Sequence, residues 1–263
     1  MPRVALASEK QHWAGSPARQ CAAGPRRALS FVVSIHVPVV DHVAELRDLR
    51  RMPSPPDDFL VASVAAASAE VERVVHALRI GGIREEEDFT SQMLSALRSG
   101  LVRVRLDGFQ WDSSVVKKQT EEPKIGADFA GVLRVRRDGY HVDKGFLAQA
   151  KLAGPHKRIV KSKLLVQAEA MLEISPASFV FLYRPTGVSV VPAISVVANG
   201  GEPRDLIEWH FEDFLLEHFR SFVGDRLLGA TDEQTVSGVL EELRARQVIY
   251  MGLRRDSDEP GLA

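Results

Sequence analysis

The chain has 263 residues, 45% hydrophobic and 26% charged, with a formal net charge of −1. That balance suits a globular protein with a real core, either one α/β domain with extensions or at most two small domains, and it excludes a uniformly basic nucleic-acid binder. The single cysteine, Cys21, excludes an intrachain disulfide and a zinc site built on several thiolates, and it fits a reducing cytoplasm.

Residues 1–28 are rich in Ala, Arg, Pro and Gly and lack the apolar stretch of a secretory signal; a flexible tail is expected, with an Arg-rich arm as the alternative. No apolar run reaches the roughly 18 residues of a membrane span. The run at 29–40 is interrupted by His36 and Pro38. Asp41 is placed to cap a short helix, and the prolines at 53, 55 and 56 break the chain after it. A long helix is expected over 59–79, where alanines favour helix and Leu60, Val64, Val71, Val74 and Val75 form one stripe. Residues 29–80 thus read as a helical N-terminal extension. A second helix is expected over 85–99, with its acids in the first turn and Gly100 as its stop. Residues 101–107 alternate like a half-buried strand, and 108–125 read as a polar loop. Strands are expected over 127–136 and 145–152, joined through the turn signal Asp138-Gly139. A helix follows over 160–173, then strands over 178–183 and 187–192 that can pair. Helices are expected over 205–223 and 232–246, then a short strand from Val248 and a frayed tail at 255–263. The fold class is α/β, a sandwich with a mixed central sheet and helical N- and C-terminal extensions.

Chemistry concentrates at Asp128 and the triplet Gln149-Ala150-Lys151. Asp128 opens one expected strand and the triplet closes the next, so antiparallel pairing brings them side by side. Residues two apart on a strand share a face, so Gln149 and Lys151 project together. A carboxylate, an amide oxygen and an ammonium would then meet at one end of a sheet. Mg²⁺ takes such oxygen ligands while keeping waters and substrate phosphate, and a lysine can hold the attacking water or offset transition-state charge. The helix before the strands offers Glu85, Glu86, Glu87 and Asp88 as a second carboxylate.

The order helix-Glu, strand, Asp, Gln-x-Lys, carried here by GADFAGVL from Gly126 and FLAQAK from Phe146, resembles the PD-(D/E)xK nuclease superfamily. The Gln variant is similar to Mrr-like restriction endonucleases and related anti-phage nucleases. The helix LLVQAEAML and the strand SFVFLY match in order, and the resemblance spans about residues 85–192. It implies a restriction-endonuclease-like α/β/α sandwich with its core at 81–195, and a Mg²⁺-dependent (or Mn²⁺-dependent) endonuclease acting on DNA, double-stranded by preference. Asp128, Gln149, Lys151 and Glu87 would be catalytic, with Asp128, Glu87 and Gln149 on the metal. The pair Met93-Leu94 two turns on points to Glu87 first and Glu86 second. Gln167, on the helix after the motif, would face the site as an accessory group. Two departures stand out: Gln149 replaces the usual acid, and Ala127 the usual proline.

Lys157, Arg158, Lys161 and Lys163, with His156, follow the motif closely and suit phosphate contacts. A solvated helix start is the plainer reading, although cations there oppose the helix dipole. Trp111 reads as a loop anchor, with base stacking as the alternative. His210 and His218 fit no metal motif, and no Walker, GxSxG or GxGxxG pattern occurs. The 196–254 region reads as helices that pack on the core or a partner, with Phe211, Phe214, Leu215, His218 and Phe222 on one face; a homodimer is one use of it. Two other readings stay open: a catalytically inactive nuclease-fold module that binds nucleic acid or protein, and an unrelated sandwich in which the motif is accidental.

Overall fold

The carbonyl of Pro56 accepts the first helical N–H groups, from Phe59 and Leu60, and starts helix α1, Asp57–Arg79. The computed structural model describes residues 55–117, 126–137, 140–154, 159–229 and 245–255. The expected tail at 1–28, the helix after Asp41, the Asp138-Gly139 turn, the basic pair Lys157 and Arg158 with His156, nearly all of the helix at 232–246 and the last eight residues lie outside them. Helix α1 buries Phe59, Val64, Ala67, Val71 and Val75 on one stripe, and Gly81 ends it in the left-handed region at φ 77. Helix α2, Glu86–Leu101, carries Glu86, Glu87 and Asp88 in its first turn and buries Phe89, Met93, Leu94 and Leu97.

Gly100 lies inside α2 and does not stop it. A Cβ there would stand 2.5 Å from Ala67 Cα, so the glycine is what lets α1 and α2 touch backbone to backbone. The strand expected over 101–107 shrinks to β1, Arg105–Leu106, because Leu101 still belongs to the helix. Asp107 and Gly108, both at positive φ (54 and 75), then form a two-residue turn into β2, Phe109–Lys117. The expected loop at 108–125 is thus a strand through Lys117, with Phe109, Trp111 and Ser113 alternating inward. Trp111 is buried, stacks on Phe59 and donates its indole N–H to Ser63 Oγ at 2.8 Å, which leaves no face for a base.

Strands β3 (Phe129–Arg137) and β4 (Tyr140–Leu152) pair antiparallel. Helix α3 covers Lys161–Leu172, and β5 (Ser178–Arg184) pairs antiparallel with β6 (Gly187–Pro192). A short helix, α4 (Ala193–Ala198), follows, then β7 (Trp209–His210). The helix expected over 205–223 is only α5, Phe211–Phe219. Trp209 and His210 instead pair with β6, and Ser221 at φ 72 ends the helix, turning Phe222 outward to 79% exposure. A 3₁₀ turn, Arg226–Leu228, precedes β8, Gln247–Arg255.

The eight strands form one sheet in the order β1-β2-β8-β3-β4-β5-β6-β7, with β8–β3 and β4–β5 parallel and the rest antiparallel. The chain is therefore α/β with a mixed sheet. Alternate strand residues feed two cores. Phe129, Leu133, Phe146, Phe181 and Ile249 face α1, α2 and α5. Ala130, Val132, Leu147, Val180 and Val248 face α3 and α4. Among the described residues no helix is long and apolar enough to cross a membrane.

Candidate functional site

Gly126, at φ 74, lies so close to α3 that a Cβ would stand 2.7 Å from the Gln167 carbonyl oxygen. That turn delivers Asp128 to the start of β3, where its N–H donates to Ala148 O at 2.8 Å. The register Phe129↔Ala148 continues backward to set Asp128 opposite Gln149. Asp128 shares the sheet face of Ala130 and Val132, and Gln149 that of Leu147. One oxygen, Asp128 Oδ2, accepts the backbone N–H of Ala150 at 2.9 Å and the side-chain amide of Gln149. Gln149 is 1% exposed, and its Oε1 is buried without a hydrogen-bond partner. An orphaned amide oxygen in such a place carries a desolvation cost of about 1–3 kcal/mol.

Lys151 leaves the same edge. Its ammonium donates to Glu86 Oε1 at 3.0 Å and to Ala150 O at 2.7 Å. The other oxygen of Glu86 accepts the backbone N–H of Leu152 at 2.9 Å, so the carboxylate is tied to the end of β4 from the first turn of α2. Below it, Thr90 Oγ1 donates to Glu86 O at 2.9 Å and lies 3.1 Å from the hydroxyl of the fully buried Tyr183. Glu86, Asp128, Gln149 and Lys151 thus converge at one end of the sheet. A cleft of about 370 Å³ opens beside them, lined by Glu85, Glu86, Glu87, Asp88, Thr90, Asp128, Arg246 and Gln247.

Burial pushes the Asp128 carboxyl up to about 6, although Lys151, the Ala150 N–H and Arg246 all favour its ionised form; the Glu86 charge adds to the rise. The group is therefore ionised at neutral pH but close enough to titration to be sensitive to anything that enters the cleft.

The structure does not bring every expected residue together. Glu87, ranked first on the helix, stands at the cleft rim, 53% exposed, 3.4 Å from Arg246 and 3.8 Å from Lys117. Glu86, ranked second, is the carboxylate that meets Lys151. The signal was in the helix period: stepping back from Leu97 and Met93 through Thr90 and Phe89 lands on Glu86, about 100° from Glu87 at 3.6 residues per turn. Gln167 backs the Gly126 turn, with its Oε1 also buried and unpartnered. Lys161 and Lys163 are exposed on the first turn of α3, and Lys161 pairs with Glu202 at 2.7 Å. Arg246 entered no expectation, because only sheet pairing places it beside Asp128.

The oxygen donors gathered here are the carboxylates of Asp128 and Glu86 and the unpartnered Gln149 Oε1, the kind a hard cation would take, although Gln149 turns its nitrogen and not its oxygen to Asp128. Among the described residues no group of three or more His, Cys, Asp or Glu is arranged to hold a metal, so the amide oxygen is needed for a third ligand. No family model matches the chain, and neither does any curated protein or solved structure.

Proposed function

We propose that the chain is a Mg²⁺- or Mn²⁺-dependent endonuclease of the PD-(D/E)xK kind, with a restriction-endonuclease-like fold, cleaving phosphodiester bonds in DNA during restriction or anti-phage defence in the cytoplasm. The observation that carries this reading is the meeting of Asp128, Gln149, Lys151 and Glu86 at one sheet end beside an open cleft. A divalent cation, when bound, supplies Lewis acidity and a more acidic water. Asp128 and Glu86 would hold it through carboxylate oxygens, and Gln149 through Oε1 if its amide were turned over. Lys151, paired with Glu86 at 3.0 Å, would hold the attacking water or a non-bridging phosphate oxygen if Glu86 were engaged by the cation instead. The buried floor of Ala148, Ala150 and Tyr183 fixes these groups on rigid strands.

The test is cleavage of supercoiled and linear DNA with Mg²⁺ or Mn²⁺, against EDTA. Lys151→Ala should lower the rate by at least ~100-fold, the scale of losing one positioned electrostatic group. A folded protein that cuts neither DNA nor RNA with either metal overturns the enzyme. One observation favours a different reading: Gln149 donates to Asp128, and Lys151 pairs with Glu86, so all four groups are engaged with one another and, of their buried polar atoms, only the Gln149 Oε1 is left without a partner. A catalytically inactive module that binds nucleic acid or protein would keep them that way, and metal titration that leaves its thermal midpoint unmoved would support it.

A further inference from the structure

We propose that Lys117 and Arg246 form a cationic track for the phosphates of a polynucleotide, with Glu87 as the counter-anion that occupies the track until the polynucleotide displaces it. The inference rests on the nuclease reading and adds the side from which the substrate backbone approaches.

Position comes from the sheet. In the order β2-β8-β3-β4, Lys117 closes β2 opposite Gln247, and Arg246 immediately precedes β8. The β8–β3 register Phe129↔Gln247 sets Arg246 level with Asp128. Lys117, Arg246, Asp128 and Gln149 therefore stand on, or immediately before, four successive strands along one end of the sheet. At about 4.8 Å per strand, Lys117 lies roughly 10 Å from Asp128. That separation is within the reach of neighbouring phosphates on one DNA strand.

The anion between the two cations is held differently from its neighbour. Glu86 is tied down by Lys151, 15% exposed, and by a backbone N–H of β4. Glu87 has single contacts of 3.4 Å to Arg246 and 3.8 Å to Lys117, with its own side chain 53% exposed and its partners' 36% and 54%. Open pairs of that kind contribute little and exchange readily. A guanidinium is matched to the two-oxygen face of a phosphate, and a phosphodiester would take Arg246 from a single carboxylate oxygen. Helix α2 thus offers one acid to the site and the next to the track, and the two should respond to neutralisation in opposite senses.

The test is fluorescence anisotropy of a labelled mixed-sequence DNA duplex with the full chain in Ca²⁺, at several salt concentrations, with cleavage in Mg²⁺ scored separately. Arg246→Gln and Lys117→Gln should each weaken binding ~3- to 10-fold and lower the salt slope by about one. Glu87→Gln should tighten binding ~2- to 5-fold, since it removes a competing anion from the phosphate path. Circular dichroism and an unchanged thermal midpoint certify each fold, and Arg246→Lys, which keeps charge but loses the fork, should recover only part of the affinity. The track is overturned if Glu87→Gln weakens or leaves binding unchanged, or if neither cation variant alters the salt slope. Cleaving wild-type protein with unaffected variants sinks the track alone. Binding by the predicted track without any cleavage sinks the nuclease alone. Wild type that neither binds nor cuts sinks both.

Discussion

Asp128, half-buried where the Gly126 turn sets it against Gln149, pays for that position in stability. Its carboxyl rises from 3.8 to about 6, and at about 1.4 kcal/mol per unit the ionised group costs the fold on the order of 3 kcal/mol at neutral pH. The sign follows from proton binding: between those values the native state holds the proton more tightly than the unfolded chain, so stability falls as pH rises through that window. Asp128→Asn removes the charge and keeps an acceptor for the Ala150 N–H. It should stabilise the protein by ~1–3 kcal/mol at pH 8, with the gain vanishing below about pH 4, as read from urea midpoints at both pH values. On the proposed nuclease reading, the same substitution should also abolish cleavage. A destabilised Asn variant at pH 8 would mean that the carboxylate is held by attraction and not merely tolerated. Glu86 and Glu87 teach the complementary lesson: neighbours in sequence have different fates, because 100° of helix rotation separates a tethered acid from an exposed one.

At the scale of elements, α1 and α2 depend on a missing side chain. Gly100→Val places carbon atoms where Ala67 Cα and the Ala66 carbonyl already stand at 2.5 and 2.7 Å from a Cβ. The helices must separate, and the variant should lose ~2–4 kcal/mol in denaturant unfolding, within the range of severe overpacking. Because α2 carries Glu86, the proposed cleavage should fall with it. A second contact joins β4 to the turn after α5. Lys144, buried, donates to Val223 O at 2.5 Å, and His218 Nδ1 lies 2.9 Å from the same oxygen. Burial lowers the Lys144 ammonium to about 7; burial, and then the Lys144 charge, lower the His218 imidazole to about 3. For Lys144 the native state holds fewer protons than the unfolded chain between about 7 and 10.5, so stability rises with pH across that window and the charge is a liability below it. Lys144→Met should therefore stabilise the protein by ~1–3 kcal/mol at pH 6, and the gain should fade by pH 10.5. Thermal melts at the two pH values check both the size and the trend.

For the molecule as a whole, the decisive element is β8. It is last in the described chain yet central in the sheet, between β2 and β3, with Ile249, Met251 and Leu253 in one core and Val248 and Tyr250 in the other. Truncation after residue 244 would open unpaired edges on β2 and β3 and empty both cores. The product should lack a cooperative melt and near-ultraviolet circular dichroism, and retention of either would show that the two halves of the sheet stand alone. The sequence alone determined what depends on neighbours in the chain. Helix periods placed α1, α2 and α3, alternation and apolar runs placed β3 to β6, and the i,i+2 spacing with antiparallel pairing joined Asp128 to Gln149 and Lys151. Tertiary structure alone decided the rest. The strand β2 hid behind polar residues that only the far end of the chain covers, Gly100 looked like a stop until α1 lay against it, and Arg246 met Asp128 through a parallel register spanning more than a hundred residues. Local patterns record which face of an element is apolar, whereas long-range pairing is chosen by the summed burial of many segments, and no short window of sequence contains that sum.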